Sequence, residues 1–245
     1  MWRHRLRPAF LRLCGKGCSK GKSRQDRNMN EGVWKWNQAE ILRYLGCKGQ
    51  PVPENVEILI EECKRELEQC AAPRAVWREF PLELEGDEIR IGAITARSRS
   101  LGRNLKDCTG ALLFAATLGS QVDIMLHRYG KLQMSKAVVF QAVSVAFLEE
   151  FCDEKNRELK EEYQKQGRYL RPRFSPGYGD FSLECQRQLV PALDLGRRIG
   201  VTLTDSLLMA PSKSITAVIG ISDIPVSCRI QGCEICQKKD CVYRR

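Results

Sequence analysis

Near the middle of the chain, residues 112–119 read Leu-Leu-Phe-Ala-Ala-Thr-Leu-Gly, an apolar run that ends at a glycine. A run without a polar face predicts a strand that is buried within a sheet. Upstream, residues 75–82 suit a second strand, and a turn at 85–87 leads to residues 89–93, where apolar residues recur at every second position. The turn and the alternation together predict a β-hairpin.

Helical patterns surround these strands. Apolar residues within 54–70 recur at steps of three and four, as on the inner face of a helix of about five turns. We also predict helices at 37–45, at 120–129, from an N-cap at Ser135 to about Gln166 and from Ser182 onward, with strands at 201–209 and 215–221. Because strands and helices do not alternate regularly, we expect an α+β fold, a twisted antiparallel β-sheet flanked by helices.

The net charge of +10 is concentrated at the N-terminus. Residues 1–28 contain nine Lys or Arg and one acidic residue, so they carry +8 and leave +2 for residues 29–245. We expect residues 1–28 to be a disordered basic tail, and we expect Met29 to be the native start, with the tail an over-read of the start site. A basic tail can bind phosphate groups, but the nearly neutral body argues against a nucleic-acid-binding function.

Length and composition indicate a globular protein. The chain has 245 residues, of which 43% are hydrophobic, so one large domain with a sizeable core is possible. No stretch approaches the roughly 20 apolar residues of a membrane span, which excludes a transmembrane protein. The twelve cysteines mostly stand singly in apolar patterns, as Cys63 and Cys70 do, and no signal peptide is recognisable. We therefore expect reduced thiols and a cytoplasmic protein.

The candidate binding segment is residues 171–178, which read Arg-Pro-Arg-Phe-Ser-Pro-Gly-Tyr. The prolines stiffen the loop, the glycine permits close approach of the backbone, and an aromatic side chain follows. An arginine fork is the preferred partner of carboxylate and phosphate groups. The same residues would also form a Pro-Gly turn with a surface tyrosine, so their spacing leaves a binding role and a structural role open.

The pattern Arg-x-x-Pro-Gly-Tyr resembles the S-adenosylmethionine loop in the activation domain of cobalamin-dependent methionine synthase. Its members here are Arg173, Pro176, Gly177 and Tyr178. Residues 202–211, Thr-Leu-Thr-Asp-Ser-Leu-Leu-Met-Ala-Pro, are similar to a second segment of that family, and the long apolar helix upstream is similar to a third. The resemblance covers roughly residues 110–225, with the segments in the same order.

The resemblance implies a function in cobalamin chemistry. Cobalamin that cycles through cob(I)alamin is occasionally oxidised to inactive cob(II)alamin. The family's activation domain binds S-adenosylmethionine over the corrin, so that one-electron reduction is followed by methyl transfer and methylcobalamin is regenerated. The cofactors supply this chemistry, while the protein supplies orientation and electrostatics. For this chain we expect S-adenosylmethionine and cobalamin as cofactors, and we leave open whether it has turnover of its own.

The resemblance also implies roles for the loop residues. Arg173 would bind the methionine carboxylate of the ligand. Gly177, after Pro176, would let backbone groups approach the ligand, and Tyr178 would pack on the face that is turned toward the corrin.

Two further segments are expected to contribute to the same site. Ile219 and Gly220 stand where the family has an aromatic pair, so only their backbone is expected to contact the ligand. The family also uses an aspartate near the start of its domain, which has no counterpart that we can place. Glu149 or Glu150, in the helix upstream, could supply a carboxylate instead, or could belong to a solvated helix end.

The expected organisation has four parts. These are a basic tail at 1–28, a helical and hairpin portion at 29–95, an S-adenosylmethionine-binding core at 96–226 and a cysteine-rich tail at 227–245. Since the chain shows no corrinoid-binding or substrate domain, we expect it to act in trans on a cobalamin-dependent methionine synthase or another corrinoid protein. An electron donor such as flavodoxin or ferredoxin would be a second partner.

Four cysteines lie within the last eighteen residues, namely Cys228, Cys233, Cys236 and Cys241. Thiolates this close could bind zinc or an iron–sulfur cluster, or they could be free thiols, and their spacing does not decide between these states. The alternative function is therefore a cysteine-cluster redox partner that does not bind S-adenosylmethionine. The chain lacks a Gly-x-Gly-x-x-Gly fingerprint and a Walker loop, which argues against the enzyme classes built on them.

Overall fold

A computed structural model describes residues 35–47 and 49–225 of the chain. Its main feature is a six-stranded sheet in the order β3-β2-β1-β4-β8-β5, in which every neighbouring pair is antiparallel. The strands are β1 (Arg74–Glu85), β2 (Glu88–Ile91), β3 (Ile94–Arg97), β4 (Gly110–Thr117), β5 (Tyr169–Leu170) and β8 (Ser214–Ser222). Two short strands, β6 (Thr202–Leu203) and β7 (Met209–Ala210), pair separately.

Strand β4 lies near the middle of the sheet, and all eight of its residues are buried. It pairs with β1 on one side and with β8 on the other, where Leu112 stands opposite Ile219. Its side chains alternate between two hydrophobic clusters, since Leu112 and Phe114 belong to one and Leu113 belongs to the other. The run at 112–119 therefore is apolar because both faces of the strand are covered.

Helices cover both faces of the sheet. One face packs against α1 (Gln38–Tyr44), α2 (Glu54–Cys70), α4 (Ser120–Leu132) and α5 (Met134–Gln164). The other face is covered by α3 (Arg99–Asn104), a 3-10 turn (Leu183–Cys185), α6 (Gln186–Ala192) and α7 (Leu195–Ile199). The predicted α+β class with an antiparallel sheet and flanking helices is confirmed.

Two local predictions are wrong. Ser135 is not an N-cap, because α5 already begins at Met134 and only Gln133 separates it from α4. The predicted strand at 201–209 is broken into β6 and β7 by a turn, in which Thr204 N–H donates to the Leu208 carbonyl at 2.9 Å. The physical reason is the run Thr204-Asp205-Ser206, whose short polar side chains stabilise turns rather than strands.

The described residues bear on the predictions about membrane spans and thiols, but not on those about the two tails. None of the helices within residues 35–47 and 49–225 has the length and apolar character that a membrane crossing requires. The described cysteines are free thiols, and Cys63, Cys152 and Cys185 are buried. The basic tail at 1–28 and the cysteine-rich tail at 227–245 lie outside the described residues.

Candidate ligand-binding site

The segment 171–180, which we call the ligand loop, is attached along β8. Arg171 N–H donates to the Gly220 carbonyl at 2.8 Å, and Phe174 and Val218 exchange two backbone hydrogen bonds of 2.8 Å each. These contacts bring the predicted loop residues and the predicted strand residues of the site next to each other.

The loop reverses direction at Pro176 and Gly177. Tyr178 N–H donates to the Ser175 carbonyl at 3.1 Å, and Gly177 has a φ of +92°. Proline followed by a residue with positive φ is the signature of a type II turn, and glycine adopts that φ at little cost. Pro176 is buried, whereas Gly177 and Tyr178 are exposed. The Pro-Gly pair thus presents the turn and the tyrosine at the surface.

The side chain of Arg173 turns inward, toward two carboxylates of α5. Its Nη2 atom lies 2.5 Å from Asp153 Oδ1 and 3.3 Å from Glu149 Oε2. Glu149 and Asp153 are four residues apart, so they lie one above the other on the same face of the helix. Only 12% of the Arg173 side chain is exposed. Its Nη1 atom is buried and has no hydrogen-bond partner.

The surroundings of Arg173 keep it charged. Burial by itself lowers the pKa of the guanidinium, but its negatively charged neighbours, Glu149 and Asp153 among them, outweigh this effect, so the net pKa is raised. Burial raises the pKa of the Cys152 thiol to about 12. The site therefore contains a permanent cation, two carboxylates and a protonated thiol. A largely buried guanidinium with an unused donor can bind a further anionic group by a charge-assisted hydrogen bond.

An aromatic group borders the loop on its outer side. The Phe174 ring centroid lies 6.3 Å from that of Tyr178 and 6.2 Å from that of Phe181, distances at which aromatic rings interact. The Tyr178 side chain is nevertheless well exposed, at 61%. It therefore offers a flat apolar surface to solvent or to a partner.

The strand residues Ile219 and Gly220 lie beside the loop but are closely covered. Ile219 is fully buried and belongs to the same cluster as the helix side chains. A Cβ atom on Gly220 would lie 2.6 Å from Cys108 Sγ and 3.0 Å from Arg171 Cγ. The missing side chain of Gly220 thus makes room for side chains of this chain itself.

The structure distinguishes between the two glutamates that the sequence left open. Glu149 contacts Arg173, whereas Glu150 pairs with the exposed Arg157 at 3.2 Å. Sequence reasoning missed Asp153, although its spacing of four from Glu149 was an available signal. It also missed Asp180, which bonds to residues 98–100, and no local pattern indicates a contact between segments so far apart.

No metal centre is found in the part of the chain that the structure describes. Residues 35–47 and 49–225 contain no group of three or more His, Cys, Asp or Glu side chains that could hold a metal ion. Cys228, Cys233, Cys236 and Cys241 lie outside those ranges, so the predicted zinc or iron–sulfur site stays a prediction.

Among the comparisons with known proteins, the comparison of structures gives a match and the comparisons of sequence do not. No protein-family model matches the chain, and no curated protein matches it. A crystal structure of the MetH reactivation domain bound to AdoHcy matches with a TM-score of 0.53 at 16% sequence identity. The match covers 68% of this chain and 65% of that chain, which is less than two thirds of the neighbour. At this identity the similarity establishes the fold, an α+β fold like that of the MetH reactivation domain.

Proposed function

We propose that this chain is an activation protein that binds S-adenosylmethionine and supports the reductive remethylation of cob(II)alamin on a separate corrinoid protein. Two independent findings support the proposal. The Arg-x-x-Pro-Gly-Tyr loop resembles that of the methionine synthase activation domain, and the fold is like that of the MetH reactivation domain bound to AdoHcy. AdoHcy, S-adenosylhomocysteine, is what S-adenosylmethionine becomes when it gives up its methyl group.

The observation that carries the proposal is the charge arrangement around Arg173. The methionine end of S-adenosylmethionine carries a carboxylate and an ammonium group. A ligand carboxylate that reached the unpartnered Nη1 of Arg173 would pair with it, and the ammonium would pair with Glu149 and Asp153, both within 3.3 Å of Nη2. A buried polar atom without a partner is costly, so a ligand that satisfies Nη1 gains that free energy on binding.

The other loop residues have roles that follow from their positions. The turn at Pro176 and Gly177 would bring exposed backbone close to the ligand, since Gly177 has no side chain in the way. Tyr178 would offer its exposed ring to the corrin. The backbone of Ile219 and Gly220 was predicted to contact the ligand, but Gly220 already accepts a hydrogen bond from Arg171 N–H, so we propose that this strand contributes by holding the loop.

Arg173, Glu149 and Asp153 would hold S-adenosylmethionine, which would supply its sulfonium methyl group. With one electron from a donor such as flavodoxin or ferredoxin, this methyl group would allow the remethylation of cob(II)alamin, and S-adenosylhomocysteine would be left. The residues of this chain contribute orientation, which is the main protein contribution when cofactors carry the chemistry. We further propose that the protein functions in the cytoplasm, in methionine biosynthesis.

Calorimetric titration of S-adenosylmethionine tests the binding site. The variants are Arg173→Gln and, as a control, Arg157→Gln, which removes an exposed arginine that pairs with Glu150 near the same helix face. Loss of a charged hydrogen bond costs about 1.5–3 kcal/mol, so we expect Arg173→Gln to weaken binding roughly 10- to 150-fold. Arg157→Gln should bind like the parent. Parent-like binding by a folded Arg173→Gln variant would contradict the proposal.

Transfer of a labelled methyl group tests the activation role. The protein is incubated with S-adenosylmethionine labelled in its methyl group, a corrinoid protein held as cob(II)alamin and a reduced flavodoxin. We expect label in the cobalamin in the presence of this chain, and much less with Arg173→Gln. If the chain neither binds S-adenosylmethionine nor promotes labelling, the alternative of a cysteine-cluster redox protein becomes the better one, and bound iron or zinc would support it.

A further inference from the structure

We infer that Asp180 is a positioning residue, which holds the ligand loop against the start of helix α3 and presets it for binding. The inference rests on the proposed function, since it concerns how the same loop is kept in shape. Asp180 lies two residues beyond Tyr178 and is exposed, and its carboxylate accepts hydrogen bonds from residues 98–100, on a segment other than the α5 carboxylates that contact Arg173. Its role would therefore be indirect, exerted through the backbone of the loop.

Three hydrogen bonds converge on the Asp180 carboxylate. Oδ1 accepts from Ser98 Oγ at 2.6 Å and from Ser100 N–H at 3.0 Å. Oδ2 accepts from Arg99 N–H at 2.9 Å. Both carboxylate oxygens are thus engaged by a segment that is eighty residues away along the chain. Hydrogen bonds to an ionised carboxylate are stronger than neutral ones, so this contact is a firm attachment.

The backbone of the ligand loop next to Asp180 packs closely against the start of α3. Gly179 has a φ of +56°, and a Cβ atom on it would lie 2.8 Å from Ser100 Oγ. The position requires glycine for two reasons, because its backbone is left-handed and because α3 comes so near. The pair Gly179-Asp180 is therefore matched to the start of α3 in both shape and hydrogen bonding.

The first part of the ligand loop is attached to the same helix segment. Arg171 Nη2 donates to the Lys106 carbonyl at 2.7 Å, and Asn104 Nδ2 lies 3.5 Å from the Pro172 carbonyl. Residues 98–106 thus contact the loop at its beginning and at its end. With the Phe174–Val218 bridge on β8, the turn at 175–178 is held between fixed points.

The Asp180 contact completes the N-terminal cap of α3 from outside the helix, because its carboxylate accepts hydrogen bonds from the first-turn N–H groups of Arg99 and Ser100. Ser98 fills the N-cap position, and its Oγ atom accepts a hydrogen bond from Leu101 N–H at 3.0 Å. Since Asp180 belongs to the ligand loop, the same hydrogen bonds also connect the loop to the start of α3. A loop that is ordered before the ligand arrives avoids the entropy cost of becoming ordered on binding.

Asp180→Ala and Asp180→Asn test the inference, with Asp123→Ala as the matched control. Asp123 likewise accepts two bonds from a distant loop, from Ser212 N–H and Ser212 Oγ at 2.6 Å each. Ser212 lies two residues before β8, beyond the end of the strand that is far from Gly220, and Gly220 is itself six residues or roughly 20 Å along the strand from Ser214. Removing Asp123 therefore costs a comparable contact without touching the ligand loop.

Two readouts are measured on the full chain, the dissociation constant of S-adenosylmethionine and hydrogen exchange of individual amides. We expect Asp180→Ala to weaken binding about tenfold, Asp180→Asn to weaken it less, and Asp123→Ala to bind within about twofold of the parent. In the free protein, the amides of Gly177, Tyr178 and Phe181 should exchange faster in Asp180→Ala, while those of β4 stay protected. The inference would be overturned if these amides exchanged in Asp180→Ala as slowly as in the parent. It would also be overturned if Asp123→Ala weakened S-adenosylmethionine binding as much as Asp180→Ala does.

The two readouts separate this inference from the proposed function. If the parent fails to bind S-adenosylmethionine, the proposed function fails, yet faster exchange at residues 177–181 in Asp180→Ala would still establish that Asp180 holds the loop. If Asp180→Ala does not fold, Asp180→Asn keeps one acceptor oxygen and carries the same test. If the parent binds and Asp180→Asn shows neither faster exchange nor weaker binding, the positioning role is wrong and the proposed function stands.

Discussion

The Nη2 atom of Arg173 lies 2.5 Å from the Oδ1 atom of Asp153, although twenty residues separate them in the chain. This ion pair joins the ligand loop to α5, in addition to the backbone hydrogen bonds that join the loop to β8. Because the arginine side chain is largely buried and the aspartate is 41% exposed, the pair is neither a surface contact nor a fully desolvated one. Its free energy should lie between those two limits.

Asp153→Asn should lower the free energy of unfolding by about 1–2 kcal/mol, because a mostly buried guanidinium loses a charged acceptor. Chemical denaturation measures the change. Glu184→Gln is the control, since Glu184 pairs with Arg187 and both side chains are at least half exposed, so its loss should cost no more than about 0.5 kcal/mol. Equal effects of the two substitutions would contradict the structural importance of the Arg173–Asp153 pair.

Gly220→Ala should destabilise the protein by about 1–3 kcal/mol, because the added methyl group would meet Cys108 Sγ at 2.6 Å and Leu105 Cδ2 at 2.9 Å. Adding Cys108→Ala should restore part of the loss. Gly130→Ala is the opposite control, since Gly130 is within α4 and nothing lies within 4 Å of its Cβ position. Gly130→Ala should stabilise the protein by about 0.5–1 kcal/mol. Thermal unfolding measures both variants, and the melting temperature should fall for Gly220→Ala and rise for Gly130→Ala.

Asp180 should contribute to stability at neutral pH and lose this contribution in acid. Hydrogen bonds from Ser98 and from the Ser100 backbone hold its pKa far below the ordinary value. Because the pKa of Asp180 is lower in the folded protein than in the unfolded chain, its ionisation stabilises the folded state. This contribution is complete at a pH above the unfolded-state pKa of about 3.9, and it falls as the pH drops below that value. The difference in melting temperature between the parent and Asp180→Asn should therefore be constant from pH 7 to about 5 and shrink toward pH 3. A difference that grows in acid would contradict this.

Cys63 and Cys152 should resist alkylation in the folded protein. Burial raises the pKa of each thiol to about 12, so only about one molecule in ten thousand carries the thiolate at pH 8. Among the cysteines of residues 35–47 and 49–225, iodoacetamide should modify the half-buried Cys47 before Cys63 and Cys152, which it should reach only after unfolding. Peptide mass spectrometry over time gives the order. Equal rates for Cys47 and Cys152 would show that the α5 site is open to reagents.

Much of the fold follows from local patterns. The helix predicted at 54–70 has those bounds, and the strands predicted at 112–118 and 215–221 lie within one residue or two of β4 and β8. Long, regular periodicities are predictable because they reflect which faces of an element are buried. The strand predicted at 201–209 failed because its apolar residues surround a polar turn, and turn chemistry outweighed strand propensity there.

The amino-acid sequence alone was enough to single out the Arg173 loop, because prolines, a glycine and an arginine in a fixed spacing are a local property. It could not say that Asp153 and Glu149 pair with Arg173, or that Asp180 attaches the loop to α3. Those contacts join segments that are twenty to eighty residues apart. They depend on distance and burial in three dimensions, and the strength of a charge pair is set by both. Only the tertiary structure therefore decided which charges meet at the candidate site.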